Sequence, residues 1–140
     1  MTAEQLILAA KSARKKAYAP YSHFAVGAAL LTRDGVVLEG CNVENASYSA
    51  TYCAERTAFL SAIAKGYREF DRIAIVGGKE GEETSLACMP CGVCRQFMSE
   101  FVDQDFEIVI EDRGAAVTYT LDALLPHSFS QKNLTNHTEL

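Results

Sequence analysis

The amino-acid sequence predicts an α/β protein, a three-layer α/β/α sandwich around a five-stranded mixed sheet. Apolar stretches with strand composition alternate along the chain with stretches whose small and aliphatic residues recur at helical spacing. Asp34 and Gly35 form a hairpin signal, and the tight turn at residues 112–114 can only join antiparallel neighbours. Strand–helix–strand order in the middle of the chain implies parallel crossovers, so we expect a mixed sheet with helices on both faces.

The first half of the chain is predicted as helix, hairpin and helix. Thr2 and Gln5 have the spacing of a capping box, which begins a helix that Pro20 ends. A later helix ends at Gly66, because glycine is typical of the position just after a helix. The two strands of the hairpin, a turn-rich segment and this later helix are predicted at residues 24–31, 36–41, 42–52 and 53–65.

The second half is predicted as strand, helix, hairpin and helix. Pro90 suits the first position of a helix, since its missing N–H has no partner there. Residues 77–89 before it are predicted as a loop, and the tail from Ser130 is polar. The regular elements are predicted at residues 72–76, 90–101, 106–110, 117–120 and 121–125.

Composition narrows the class of protein. The 140 residues suit a single domain over residues 1–140, large enough to fold without disulfides. The net charge of −5 argues against a nucleic-acid partner. The amino terminus has no signal-peptide pattern and no stretch is apolar enough to span a membrane, so we expect a cytoplasmic protein without a membrane partner. In a reducing compartment, the five cysteines indicate metal binding or catalysis.

Three of these cysteines are the candidate ligands of a metal ion. Cys91 and Cys94 lie three residues apart at the start of a predicted helix, and Cys53 opens the preceding helix. Side chains at that spacing share one helix face, and helix N-termini favour the thiolate form that binds metal. Three protein ligands around Zn²⁺ leave one tetrahedral position for water, which is typical of a catalytic site.

Charged residues beside these cysteines complete a candidate site. Glu55 follows Cys53 by two residues, so its carboxylate can move protons to and from a metal-activated water. Three thiolates outweigh the charge of one Zn²⁺, which weakens the ion as a Lewis acid unless a cation offsets them. Arg56 and Arg95 each follow a ligand motif closely and can supply that positive charge, although both also suit a solvated surface.

The combined motif resembles the cytidine and deoxycytidylate deaminase family, in its small homotetrameric form. A Cys-x-x-Cys pair alone is weak, but a preceding proline and an upstream Cys-Ala-Glu match the zinc signature of nucleobase deaminases. The likeness spans nearly the whole chain. It is carried by the segments Tyr18-Ala-Pro-Tyr-Ser22, Phe24, Val26-Gly-Ala-Ala-Leu30, Gly40-Cys-Asn-Val-Glu-Asn-Ala46, Cys53-Ala-Glu-Arg-Thr57, Pro90-Cys-Gly-Val-Cys-Arg-Gln96, Leu124-Leu-Pro126 and Phe129.

This resemblance implies a function, a fold and residue roles. The implied reaction is hydrolytic deamination of cytidine and deoxycytidine to uridine and deoxyuridine by a zinc-activated water, in pyrimidine salvage, on the same three-layer fold. Cys53, Cys91 and Cys94 would hold Zn²⁺, Glu55 would carry the protons and Arg56 would temper the thiolate charge. The other implied contacts are with the small nucleoside substrate, at Phe24, Asn42, Glu44, Ala54, Tyr48 and Phe129, the last two in a site shared between subunits of a homotetramer.

Residue reasoning alone supports these substrate contacts less firmly. Asn42 and Glu44 alternate on an extended segment and so can face one sugar hydroxyl, but they equally suit a turn. Phe24, Tyr48 and Phe129 equally suit core or interface packing.

Three alternatives differ in chemistry. Cys88 could join the other cysteines in a closed four-thiolate zinc site or an iron–sulfur cluster, which would leave Glu55 without a role. A deaminase with this motif could instead act on a nucleoside antibiotic such as blasticidin S, or on cytosine within a nucleic acid. A thiol redox protein using Cys91 and Cys94 would leave Cys53 and Glu55 unexplained.

Overall fold

The computed structural model describes residues 1–84 and 86–135 and contains a five-stranded sheet with helices on both faces. The strands are β1 (Phe24–Thr32), β2 (Val37–Cys41), β3 (Phe70–Lys79), β4 (Glu107–Asp112) and β5 (Ala115–Thr120). The helices are α1 (Ala3–Arg14), α2 (Ala54–Ala64), α3 (Gly92–Ser99), α4 (Leu121–Leu124) and α5 (Gln131–Leu134), and a 3₁₀ turn spans Tyr48–Ala50.

The sheet is mixed, as the sequence predicts. Its strand order is β2-β1-β3-β4-β5. Only β3 and β4 run parallel, with α3 in their connection, whereas the other neighbouring pairs are antiparallel. The central position therefore belongs to β3, and the carboxyl end of this strand leads into the segment that carries Cys91 and Cys94.

Alternation along the strands separates two hydrophobic cores. In β1, Ala29 and Leu31 face α1, whereas Ala28 and Leu30 face α2 and α3. The core under α2 and α3 is the larger, and Phe59 at its centre contacts four other aromatic rings at Phe70, Phe97, Phe101 and Phe106. The α2 and α3 helices are thereby fixed side by side on one face of the sheet.

Two glycines let helices approach the sheet more closely than any side chain would permit. A Cβ on Gly27 would lie 2.0 Å from the carbonyl oxygen of Ala10 in α1. A Cβ on Gly40 would lie 2.4 Å from the carbonyl oxygen of Ala54 and 2.5 Å from the amide nitrogen of Ala58. The first turn of α2 therefore rests directly on the backbone of β2.

Several element boundaries differ from the sequence prediction, and three of the differences have a direct structural cause. Helix α1 has the predicted capping box but ends at Arg14, because the N–H of Tyr18 bonds to the carbonyl of Asn42 well before Pro20. Residues 77–79 extend β3 rather than forming a loop, since they pair with β1. Pro90 precedes helix α3 instead of starting it, because Cys91 is the N-cap.

The polar tail also contains more structure than predicted. Ser130 and Asn133 form a capping box that begins the short helix α5.

In the described part of the chain, no helix is both long and apolar enough to cross a membrane.

Gly40→Ala tests the contact between α2 and β2. The added methyl group has no free space, so we expect the free energy of unfolding to fall by about 3 kcal/mol. Chemical denaturation measures the change. Ser61→Ala, on the same helix, adds no atoms and should change the free energy by less than about 0.5 kcal/mol. An equally small loss for Gly40→Ala would contradict the close packing.

Candidate active site

The three predicted metal ligands come together where two helices begin. Cys53 is the N-cap of α2, Cys91 is the N-cap of α3, and Cys94 lies in the first turn of α3. Their Sγ atoms all lie within 4.8 Å of one another, with 3.8 Å between Cys53 and Cys91 and 3.5 Å between Cys91 and Cys94. Cys94 is fully buried and Cys91 is exposed, so the cluster is open on one side.

This geometry fits Zn²⁺. A Zn–S bond of about 2.3 Å with tetrahedral angles places sulfur atoms roughly 3.8 Å apart, close to the separations found here. Sulfur is a preferred donor for zinc, and three sulfurs leave a fourth position for a small ligand. The residues present can therefore hold the ion without rearranging the two helix starts.

The thiols already share negative charge. Hydrogen bonds, first with Cys94 and then with Arg56 and Cys91, together lower the pKa of Cys53 to about 5 against the effect of burial. The hydrogen bond with Cys53, together with burial, raises the pKa of Cys94. Because metal ligands must be deprotonated, a divalent cation bound here would displace the protons that the thiols share.

Arg56 lies against this thiolate, as the charge argument predicts. Its Nη2 is 3.7 Å from Cys53 Sγ and also donates to the carbonyl of Thr51 at 3.2 Å. Its guanidinium carbon stands 4.7 Å from the centre of the Tyr52 ring. The buried Nε has no hydrogen-bond partner among the described residues, which costs desolvation free energy. The attraction between the guanidinium and the thiolates offsets that cost.

Glu55 is buried beside the cluster. Only 4% of its surface is exposed. Burial and, to a smaller extent, the charge on Cys53 raise its pKa to about 7, against the lowering effects of its own backbone N–H, Cys94 and Arg56. A carboxyl group in this environment can exist with or without its proton near neutral pH, which is the property that a proton carrier needs.

Cys88 stands apart from the metal cluster. Among the described residues, the cluster of cysteines that could hold a metal ion consists of the three predicted ligands and does not include Cys88. Cys88 packs instead on Gly77, where a Cβ would meet its Sγ at 2.6 Å and the ring of Phe24 at 3.1 Å. Burial raises the pKa of Cys88 to about 11. This arrangement argues against a closed four-thiolate site.

Asn42 is buried and bonded to the backbone of β1. Its Oδ1 accepts from the N–H of Val26 at 2.9 Å, and its Nδ2 donates to the carbonyl of Phe24 at 2.8 Å. One N–H and one lone pair of the amide remain for another partner. Asn42 therefore fixes the start of β1, a role that the sequence did not indicate.

Glu44 is held by the turn that precedes β1. Its Oε1 accepts from the N–H groups of Tyr21 and Ser22, both at 3.0 Å, and its Oε2 accepts from the Ser22 hydroxyl. The hydrogen bond from the Ser22 hydroxyl is the main cause that lowers the pKa of Glu44, so the group is a carboxylate. A groove beside it is lined by Tyr21, Ser22, Glu44, Tyr48 and Thr51.

The remaining predicted contacts differ in exposure. Ala54 is buried in the first turn of α2. Tyr48 is 74% exposed and Phe129 is 58% exposed, although Tyr48 contacts Tyr21 edge to face at 5.8 Å. Phe24, at the start of β1, is also exposed in the single chain.

Two arginines act on the backbone in ways that the sequence did not reveal. Arg95, considered above as a cation near the thiols, donates instead to the carbonyls of Pro90 at 2.8 Å and Leu124 at 2.7 Å. Within residues 1–84 and 86–135, the hydrogen bonds that Arg14 donates all go to backbone carbonyls as well. No motif signals such contacts, because any residue can supply the acceptor.

Comparison with known proteins gives a consistent result. Residues 1–110 match the family model of the cytidine and deoxycytidylate deaminase zinc-binding region. The chain is 44% identical over 135 residues to a cytidine deaminase of Sporosarcina psychrophila, covering 96% of each. It is 42% identical to one of Halalkalibacterium halodurans, covering 96% of this chain and 98% of that one.

A solved structure shares the fold. The crystal structure of a cytidine deaminase from Burkholderia pseudomallei superposes with a TM-score of 0.84 at 53% sequence identity. The match covers 92% of this chain and all of that one.

Replacing single cysteines tests the ligand set. Cys91→Ser should remove zinc, because two thiols cannot complete the site, whereas Cys88→Ser should keep one zinc per chain. Atomic absorption of the purified proteins measures the metal content. Loss of zinc in Cys88→Ser, with retention in Cys91→Ser, would contradict the assignment.

Proposed function

This chain belongs to the cytidine and deoxycytidylate deaminase family, and we propose that it hydrolyses free cytidine and deoxycytidine to uridine and deoxyuridine, with release of ammonia. One observation carries the proposal: a buried carboxylate, Glu55, lies in the first turn of α2, two residues after Cys53 of a three-thiol cluster that fits Zn²⁺. A structural zinc site does not need such a group, whereas hydrolytic deamination needs a proton carrier.

Cys53, Cys91 and Cys94 hold the metal in this proposal. A bound Zn²⁺ supplies a Lewis acid that lowers the pKa of a water ligand toward neutrality. Arg56 withdraws charge from the thiolates through its contact with Cys53 Sγ, which keeps the centre from becoming too electron-rich to do so.

Glu55 moves the protons. It accepts one from the attacking water and delivers it to N3 of the pyrimidine as the C4–O bond forms. It then takes the remaining proton from the new hydroxyl group on C4 and passes it to the amino group, so the C4–N bond breaks, the C4 carbonyl forms and ammonia leaves. The buried position of Glu55 supports this role, because bulk water is kept away from the carboxyl group.

The sugar is proposed to lie near Asn42 and Glu44. Three hydrogen bonds hold the Glu44 carboxylate and leave one lone pair for a 3′-hydroxyl, and Asn42 keeps one free N–H. Internal nucleotides of DNA or RNA lack a free 3′-hydroxyl. The net charge of −5 also argues against a nucleic-acid substrate.

The base is proposed to lie between Phe24 and the first turn of α2. Phe24 offers an exposed ring at the start of β1 for stacking, and the backbone of Ala54 offers polar groups to the pyrimidine edge. Such groups would orient the C4 carbon toward Glu55.

We propose that the site is completed by other copies of this chain in a homotetramer. Tyr48 and Phe129 are large and exposed in the single chain, as are Tyr18, Tyr21 and Tyr52. Exposed aromatic groups of this kind mark association surfaces. Light scattering of the purified protein measures the mass, and a monomer would contradict shared sites.

The proposed setting is pyrimidine salvage in the cytoplasm, with residues 1–140 forming one catalytic domain. All five cysteines are free in the structure, which suits a reducing compartment.

The proposal is tested by following ultraviolet absorbance with cytidine, deoxycytidine, blasticidin S and a cytosine-containing single-stranded oligonucleotide. We expect turnover of the two free nucleosides alone. Zinc-loaded protein that deaminates neither nucleoside would refute the proposal, and exclusive turnover of blasticidin S would redirect it to the antibiotic.

Glu55→Gln tests the proton carrier. The amide cannot accept or deliver the protons, so kcat should fall by at least about 100-fold while zinc remains bound. Glu107→Gln, an exposed change of equal charge on β4, should leave kcat unchanged. Substantial turnover by zinc-loaded Glu55→Gln would contradict the assignment.

A further inference from the structure

Arg14, the last residue of α1, uses its guanidinium as a clamp between two backbone segments. Its Nε donates to the carbonyl of Ala25 in β1 at 2.8 Å. Its Nη2 donates to the carbonyls of Gly78 at 2.9 Å and Lys79 at 2.6 Å, and its Nη1 donates to that of Glu82 at 2.9 Å. Each donor-bearing nitrogen is thus bonded to the backbone, and together they tie α1 and β1 to the end of β3.

Two glycines, which have no side chain, make the close approach of Arg14 to β1 and β3 possible. A Cβ on Gly27 would lie 2.5 Å from the amide nitrogen of Arg14, so the helix backbone rests on β1 at that point. A Cβ on Gly78 would lie 3.4 Å from Arg14 Nη2 and 3.8 Å from the side chain of Thr84. The segment 78–84 therefore lies on the face of the sheet that α1 covers.

A second contact holds the same segment to that face. Thr84 Oγ1 donates to Glu111 Oε1 at 2.7 Å, and Lys11 Nζ pairs with Glu111 Oε2 at 2.7 Å. Glu111 is buried at the end of β4. Helix α1 thus fixes residues 78–84 twice, through Arg14 directly and through Lys11 and Glu111.

Cys88 lies on the opposite face of the sheet, where the metal cluster also lies. Gly77 faces away from α1, since neighbouring strand residues point to opposite sides, and Cys88 packs on it beside Phe24. Pro90 and Cys91 follow within three residues, and Cys91 caps α3. Residues 78–84, on one face, and Cys88 and Cys91, on the other, thus belong to the same connection between β3 and α3.

We propose that Arg14 is a positioning residue for the deamination reaction: it fixes residues 78–84 so that the following residues bring Cys91 to the metal and Cys88 against Phe24. The role in catalysis rests on the function proposed above. The placement of Cys91 does not, because it concerns metal retention alone.

The experiment compares Arg14→Gln and Arg14→Lys with the unaltered full-length zinc-loaded protein. Misplacing the support of a ligand typically costs ten- to a hundredfold in metal affinity, so Arg14→Gln should release zinc to a chromogenic chelator at least about tenfold faster. Backbone hydrogen exchange of peptides covering residues 86–91 should accelerate, and KM for cytidine should rise. Arg14→Lys should give zinc release, hydrogen exchange and KM values between those of Arg14→Gln and the unaltered protein, because one ammonium reaches only some of the carbonyls.

Two controls separate positioning from general stability. Lys15→Gln removes the same charge from an exposed neighbouring position and should leave zinc release and KM unchanged. Ile7→Val loosens the packing of α1 on the sheet, so it should lower the melting temperature without changing either quantity below the transition. If Arg14→Gln does not fold, Arg14→Lys carries the comparison.

The proposal would be overturned if the folded Arg14 variants released zinc at the same rate as the unaltered protein and showed the same hydrogen exchange over residues 86–91. A lower melting temperature alone, as in Ile7→Val, would also overturn it. Failure of the unaltered protein to deaminate cytidine would count against the proposed function only, since zinc release and exchange would still decide the placement of Cys91.

Discussion

The meeting of two helix N-termini at one point is the constraint on which the rest of this structure depends. Cys53 and Cys91 cap α2 and α3, and the positive ends of both helices favour the thiolate form that metal binding requires. The sulfurs must also lie at zinc-compatible distances, which requires a fixed packing of α2 beside α3. The aromatic cluster around Phe59 and the close contact at Gly40 supply that packing.

Charge determines how the cluster works. Three thiolates exceed the charge of one Zn²⁺, so a nearby cation would favour the Lewis acidity of the ion in the proposed function. Arg56 lies against Cys53 Sγ, and Glu55 is buried within the same turn. In the proposed function, the start of α2 supplies one metal ligand, the proton carrier and the nearby cation, which accounts for the contiguous Cys-Ala-Glu-Arg run in the sequence.

The sequence predicts those parts of the molecule that depend on local pattern. The capping box at Thr2, the hairpin at Asp34 and the metal ligands all follow from residue type and spacing. The extension of β3 could not be predicted in this way, because Gly77 and Gly78 have loop character until β1 pairs with them. The end of α1 depends likewise on a bond between Tyr18 and Asn42 that no local rule contains.

Hydrogen bonds between side chains and backbone groups distant in the sequence could not be predicted from the sequence either. Arg14 and Arg95 resemble solvated surface residues in the sequence, yet each donates hydrogen bonds to carbonyls far along the chain.

The central claim is that three thiols, without Cys88, hold one zinc and leave a position open. X-ray absorption at the zinc edge tests it most directly. We predict three sulfur neighbours and one oxygen or nitrogen neighbour, and four sulfur neighbours would contradict the account.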